Sequence, residues 1–205
     1  MIRRQPVLIW LLAVTLIAIE IGLWGADLGL WGGSRWRTLA YQNGAFWPGL
    51  LSNWQPNYPV QPATMFLTYA FLHGGIGHLL GNVITLFSIG PMVIEQAGRR
   101  AFVEIFAAAA LGGALVFTWL NSTPQPMVGA SGAIFGLAGA LTVWFWKDGG
   151  GWRATLGIVA LLSLLNLAIW WFLKGQLAWE SHLGGFLAGA ATGAAMPRKP
   201  PQPST

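Results

Sequence analysis

Apolar residues in this chain come in long uninterrupted runs, without the alternation of a half-buried strand or the narrow stripe of a surface helix. Six runs are legible, at about 7–25, 78–95, 101–120, 130–146, 154–173 and 181–196. Each is about as long as a helix must be to cross the hydrocarbon core, the fourth and sixth being short for the task. The pattern predicts an all-α, polytopic membrane protein. Its six transmembrane helices form one bundle over residues 1–196, followed by a disordered, Pro-rich tail over 197–205. Arg3-Arg4 and the first run resemble a signal peptide, but the run reaches Trp24 and no A-x-A pattern follows, so it reads as the first span. Glu20, inside that run, either lies near the outer interface or faces the bundle.

Between the first two runs lies a segment of nearly forty residues, about Gly25 to Ala63. A linker would be polar; this one carries Trp31, Trp36, Phe46, Trp47, Trp54 and Tyr58 among many Gly and Pro. It is expected to lie in the membrane interface against the bundle.

Composition agrees: 55% of residues are hydrophobic and 8% charged, against roughly 25% charged in soluble domains. The absence of cysteine excludes a disulfide framework, thiolate catalysis and cysteine-ligated metal, and says nothing of compartment. The net charge of +5 does not point to nucleic acid, because the basic residues sit singly or in pairs between apolar runs. They report topology. With the N-terminus inside, the inner segments hold Arg3, Arg4, Arg99, Arg100, Lys147, Arg153, Arg198 and Lys199, and the outer ones Arg35, Arg37 and Lys174. That bias places both termini in the cytoplasm. Trp10, Trp144, Trp146 and Trp152 then mark the inner interface, and Trp24, Trp119, Trp170, Trp171 and Trp179 the outer one.

In this topology the second, fourth and sixth spans all run inward. The three histidines and Ser131 lie at or near their beginnings, at one depth just below the outer surface. His78 and Asn82 are four apart and share a helix face, as do Ser131 and Phe135. Gly132, Gly136 and Ala140 form a small-residue stripe on the fourth span. Gly185, Gly189 and Gly193 form another on the sixth, with His182 three residues before Gly185. Such stripes let helix backbones approach closely, which would bring Ser131 within hydrogen-bonding reach of His182. Singly, each residue has a plain structural use: Ser131 as packing or cap, His73 as an interfacial residue or a prop for the loop. Together they point to a nucleophile–base pair in the membrane, where polar side chains need a reason to be. A metal site is disfavoured, since apart from Glu180 no carboxylate lies near the histidines in a ligand spacing.

These residues match a family. The stretch Phe71-Leu72-His73-Gly74-Gly75-Ile76-Gly77-His78-Leu79-Leu80-Gly81-Asn82 resembles the histidine–histidine–asparagine pattern on the second span of rhomboid intramembrane serine proteases of the bacterial six-span type. Gly129-Ala130-Ser131-Gly132-Ala133-Ile134-Phe135-Gly136 and His182-Leu183-Gly184-Gly185-Phe186-Leu187-Ala188-Gly189 resemble the family's serine and histidine motifs, in order on alternate spans. There are two departures. Thr64-Met65 stand where the family often has Trp-Arg, Trp36-Arg37 lying much further upstream, which puts loop anchoring in doubt. Phe135 stands where it often has Tyr stacking on the histidine, which keeps the ring and loses only the hydroxyl.

The chain has two aspartates, Asp27 and Asp148, both remote, and Glu180 would point away from His182 on a regular helix. The residues therefore favour a Ser131–His182 dyad over a carboxylate triad, as the resemblance also implies. The Ser131 backbone N–H at a helix start is one oxyanion donor. By resemblance the His78 and Asn82 side chains supply the others. The resemblance further implies a bacterial inner-membrane protease acting on transmembrane protein substrates in the lipid bilayer, with no cofactor, metal or nucleic acid. Substrate access would lie between the second and fifth spans, where Asn166 is either buried packing or part of the gate. The rival readings are a catalytically silent rhomboid-like binder of membrane clients and a small transporter. The transporter reading expects internal repeats that the chain does not show.

Overall fold

The computed structural model describes residues 6–121 and 123–198. Arg3, Arg4 and Lys199 of the orientation argument, and the tail over 199–205, lie outside the described residues. Among the described residues seven α-helices follow one another: α1 (Val7–Asp27), α2 (Trp36–Gly44), α3 (Gln61–Thr68), α4 (Ile76–Leu120), α5 (Ser131–Lys147), α6 (Trp152–Phe172) and α7 (Trp179–Ala195). Among the described residues there is no strand, only an isolated bridge between Phe46 and Met127. This is an all-helical, polytopic membrane protein.

Three helices, α1, α4 and α6, are long and apolar enough to cross a membrane. The 45 residues of α4 would be far too long for one crossing, at about 1.5 Å per residue. The chain breaks this helix at Gly98, whose φ of 89° and ψ of 171° are open to glycine and costly for other residues. The second and third apolar runs are thus the two arms of α4, and the second arm folds back along the first. Tyr69, just before the first arm, donates its hydroxyl hydrogen to the Ala110 carbonyl on the second (2.9 Å). Both α5 and α7 have 17 residues, reaching about 26 Å against a hydrocarbon core of about 30 Å.

At the centre α4, α5 and α7 pack against one another on their glycines. A side chain at Gly185 or Gly189 would run into the backbone of Gly132 or Gly136, and one at Gly184 into the Gly112 carbonyl. Backbones this close leave room for nothing larger than hydrogen. Trp144 donates its indole N–H to the Gly193 carbonyl at the far end of the same contact (2.7 Å). Outside this trio, α1 lays Ile9, Ala13, Leu16, Glu20 and Leu23 inward at alternating four- and three-residue steps. Glu20 therefore faces the bundle. By contrast α6 buries no residue and leans chiefly on α5.

The long outer segment is folded, with α2 and α3 inside it. Phe46 and Met127 exchange backbone hydrogen bonds at 3.0 Å, tying it to the approach to α5. Anchoring, doubtful from the altered Trp-Arg positions, comes from Arg37. This guanidinium pairs with Glu20 (2.8 Å) and Asp27 (2.6 Å) on α1 and donates to the His73 carbonyl (3.1 Å). Burial disfavours its charge, but the bonds to Glu20 and Asp27 outweigh that and raise its pKa. At Thr64-Met65 the chain uses a fully buried Met65 and a Thr64 hydroxyl 3.0 Å from that of Tyr58.

Candidate active site

Gly129 takes a φ of +123° two residues before α5 begins, and its amide donates to the Tyr69 carbonyl (3.0 Å). That turn presents Ser131 as the first residue of α5, where backbone N–H groups have no acceptor within the helix. The close approach of α5 and α7 sets Ser131 Oγ 2.8 Å from His182 Nε2. Phe135, one turn into α5, stacks on the His182 ring with centroids 4.3 Å apart and planes 7° from parallel. The ring face is thereby held and the imidazole can rotate little. Gly132, Gly136, Gly185 and Gly189 are all buried in this contact.

The other nitrogen of His182, Nδ1, lies 2.7 Å from Asn166 Oδ1 on α6. From the sequence Asn166 is either packing or gate. Its signal is that of an unexplained polar side chain in an apolar helix, but the partner stands sixteen residues away and only the fold supplies it. Glu20 gave a similar signal, with Arg37 as the partner that spacing could not reveal.

His78 and Asn82 line the approach from the first arm of α4. The Gly74 amide donates to His78 Nδ1 (3.3 Å), so the neutral ring carries its proton on Nε2. That edge lies against Gly129, where a Cβ would come within 2.7 Å of Nε2, so the absence of a side chain there lets the ring approach the nucleophile turn. Asn82 is buried and spends one N–H on the His78 carbonyl (3.1 Å), leaving a second to donate. His73 is fully buried and edge-on to His78, with centroids 5.2 Å apart, so it is a prop and not an interfacial residue. Its ring nitrogens make no full hydrogen bond, although the Phe71 carbonyl weakly favours a proton there. Burial, reinforced by His78, pushes the His73 pKa down to about 3.

Chemically, the arrangement offers a hydroxyl against an imidazole at a helix N-terminus, with further N–H donors on His78 and Asn82. A cavity of about 440 Å³, lined chiefly by apolar residues of α6 and α7, adjoins His182.

The family model described as Rhomboid domain matches residues 61–199. Over 123 residues the chain is 34% identical to RHOMBOID-like protein 5 of Arabidopsis thaliana, covering 58% of this chain and 39% of that protein. It is 33% identical over 131 residues to Rhomboid protease GluP of Bacillus subtilis, covering 63% and 25% respectively. It is 30% identical over 125 residues to Putative rhomboid protease YdcA of the same bacterium, covering 60% and 62%. The aligned region thus spans less than two thirds of each of these relatives.

Proposed function

Because the chain belongs to the rhomboid family, we propose that it is an intramembrane serine endopeptidase that cleaves transmembrane segments of other membrane proteins. The observation that carries this reading is the 2.8 Å contact between Ser131 Oγ and His182 Nε2, made by two membrane helices. His182 Nε2 takes the Ser131 proton while Oγ bonds to the scissile carbonyl carbon. The tetrahedral oxyanion is held by the Ser131 N–H, the second Asn82 N–H and His78 Nε2–H. His182 then passes the proton to the leaving amine, and the acyl-enzyme is hydrolysed by water activated the same way.

In this reading residues 1–196 form one six-span domain, with α1, the two arms of α4, α5, α6 and α7 as spans and both termini in the cytoplasm of a bacterium. The short α5 and α7 are carried by their neighbours, and the dyad lies at their outer ends, the side from which water arrives. Substrates enter from the lipid between the first arm of α4 and α6, the helix that buries nothing. Segments weakened by Gly or Pro are preferred, because they unwind most readily.

Incubating the purified protein in detergent or lipid with a panel of single-span substrates tests this. Ser131→Ala and His182→Ala should abolish cleavage while the protein stays folded, and a fluorophosphonate should label Ser131 only in the wild type. Undiminished proteolysis in either variant would remove the dyad. A wild type that binds the panel without cutting it would put the silent client-binding reading in its place.

A further inference from the structure

Asn166 sits in α6, a helix whose face toward the cavity is apolar apart from Asn166 and Ser163. It stands beside Leu162, Leu167 and Trp170 in the wall of the 440 Å³ cavity. A lone amide there is unfavourable unless it is hydrogen-bonded, and the bond it makes, at 2.7 Å, is to His182 Nδ1. We propose that Asn166 is a positioning residue, which makes the hydrolytic site a neutral Ser131–His182–Asn166 triad supplied by three helices. The proposal rests on the protease reading above.

The tautomer of His182 decides whether it can act as a base. A neutral imidazole has one N–H, and a general base facing Ser131 must carry it on Nδ1, leaving the Nε2 lone pair for the hydroxyl proton. The Asn166 carbonyl oxygen accepts a hydrogen bond from Nδ1–H and so selects that form. Turned the other way, the amide would donate to Nδ1 and put the imidazole proton on Nε2, aimed at Ser131 Oγ and useless as a base. When His182 gains the serine proton, the same oxygen stays bonded to the imidazolium. A carboxylate does this work in charged triads, and an asparagine does it in some cysteine enzymes. His78 on α4 is close enough to His182 to act on it electrostatically, and Glu180 precedes His182 by two residues on α7. Lys147 and Arg153 are at the opposite ends of α5 and α6. Phe135 fixes the plane of the ring and Asn166 fixes its rotation within that plane.

The test uses the full chain in detergent and reads the fluorophosphonate labelling rate at Ser131, kcat and KM on a single-span substrate, and the melting temperature. Asn166→Leu matches the apolar lining, so a merely structural role predicts unchanged behaviour or better. The triad instead predicts a labelling rate and kcat lower on the order of tenfold to a hundredfold, with KM within about twofold. Asn166→Asp keeps an oxygen acceptor in the same place and should recover to within about tenfold of wild type. Wild-type rates in Asn166→Leu overturn the proposal. So does a loss that tracks melting temperature across Asn166→Leu and Asn166→Ala. A wild type that takes no label overturns the protease reading itself, and the triad with it.

Discussion

Gly185→Ala probes whether the nucleophile–base distance is set by backbone contact between two helices. A Cβ at Gly185 would collide with the Gly132 carbonyl oxygen and sit 2.7 Å from the carbonyl carbon and 3.2 Å from Cα. Ordinary contact begins at about 3.4 Å, so the carbonyl carbon alone requires α5 and α7 to part by roughly 0.7 Å, and the oxygen, the nearest atom, requires more. The obstacle is backbone on both helices, and no rotamer relieves it. Overpacking of this kind costs about 1–3 kcal/mol. Ser131 adjoins Gly132, and His182 is one turn from Gly185, so a separation of at least that size lengthens the 2.8 Å contact between them to about 3.5 Å or more. At that distance a hydrogen bond has largely failed, and labelling should slow by at least about tenfold as general-base assistance is lost. Thermal unfolding followed by circular dichroism gives the first quantity and the fluorophosphonate rate gives the second. Gly157→Ala on α6 is the control, since its Cβ meets nothing within 4 Å; it should label normally and gain up to about 1 kcal/mol of helix propensity. If Gly185→Ala melted and labelled like Gly157→Ala, the glycine contact would not be what holds the dyad together.

Three further expectations concern neighbouring groups. Arg37→Ala strands the fully buried Glu20 side chain without its cation and should cost about 3 kcal/mol or more in unfolding experiments at neutral pH; Glu20→Gln combined with Arg37→Ala should restore part of it. Asn82→Ala should lower kcat on the order of tenfold to a hundredfold with little change in KM, less than Ser131→Ala does, and His73→Ala should be milder still. His73 binds its proton at about 3 when folded against an ordinary 6.5, so the unfolded chain takes up the proton first. Stability should therefore fall as the pH drops from about 6.5 toward 3, and melting curves should show a shallower fall for His73→Phe.

The apolar runs, the glycine stripes and the order of the histidine, serine and histidine motifs were legible without coordinates. Each is local: a run of about twenty apolar residues, or polar groups one turn apart, depends on no distant partner. For the same reason His78, Asn82, Ser131 and His182 are recognisable at the beginnings of helices. Other features needed the folded chain. The second and third runs are arms of α4 broken at Gly98, and Arg37 anchors the outer segment from far upstream of Thr64-Met65. The partner of Asn166 is likewise invisible along the chain. Two polar side chains sixteen residues apart, with a turn between them, meet only because α6 and α7 return to the same depth beside α5. The order of residues along the chain sets which side chains cannot be left in hydrocarbon without a partner. Which partner each received was decided by tertiary packing, because hydrogen bonds and ion pairs act over about 3 Å and only the folded bundle brings distant helices that close.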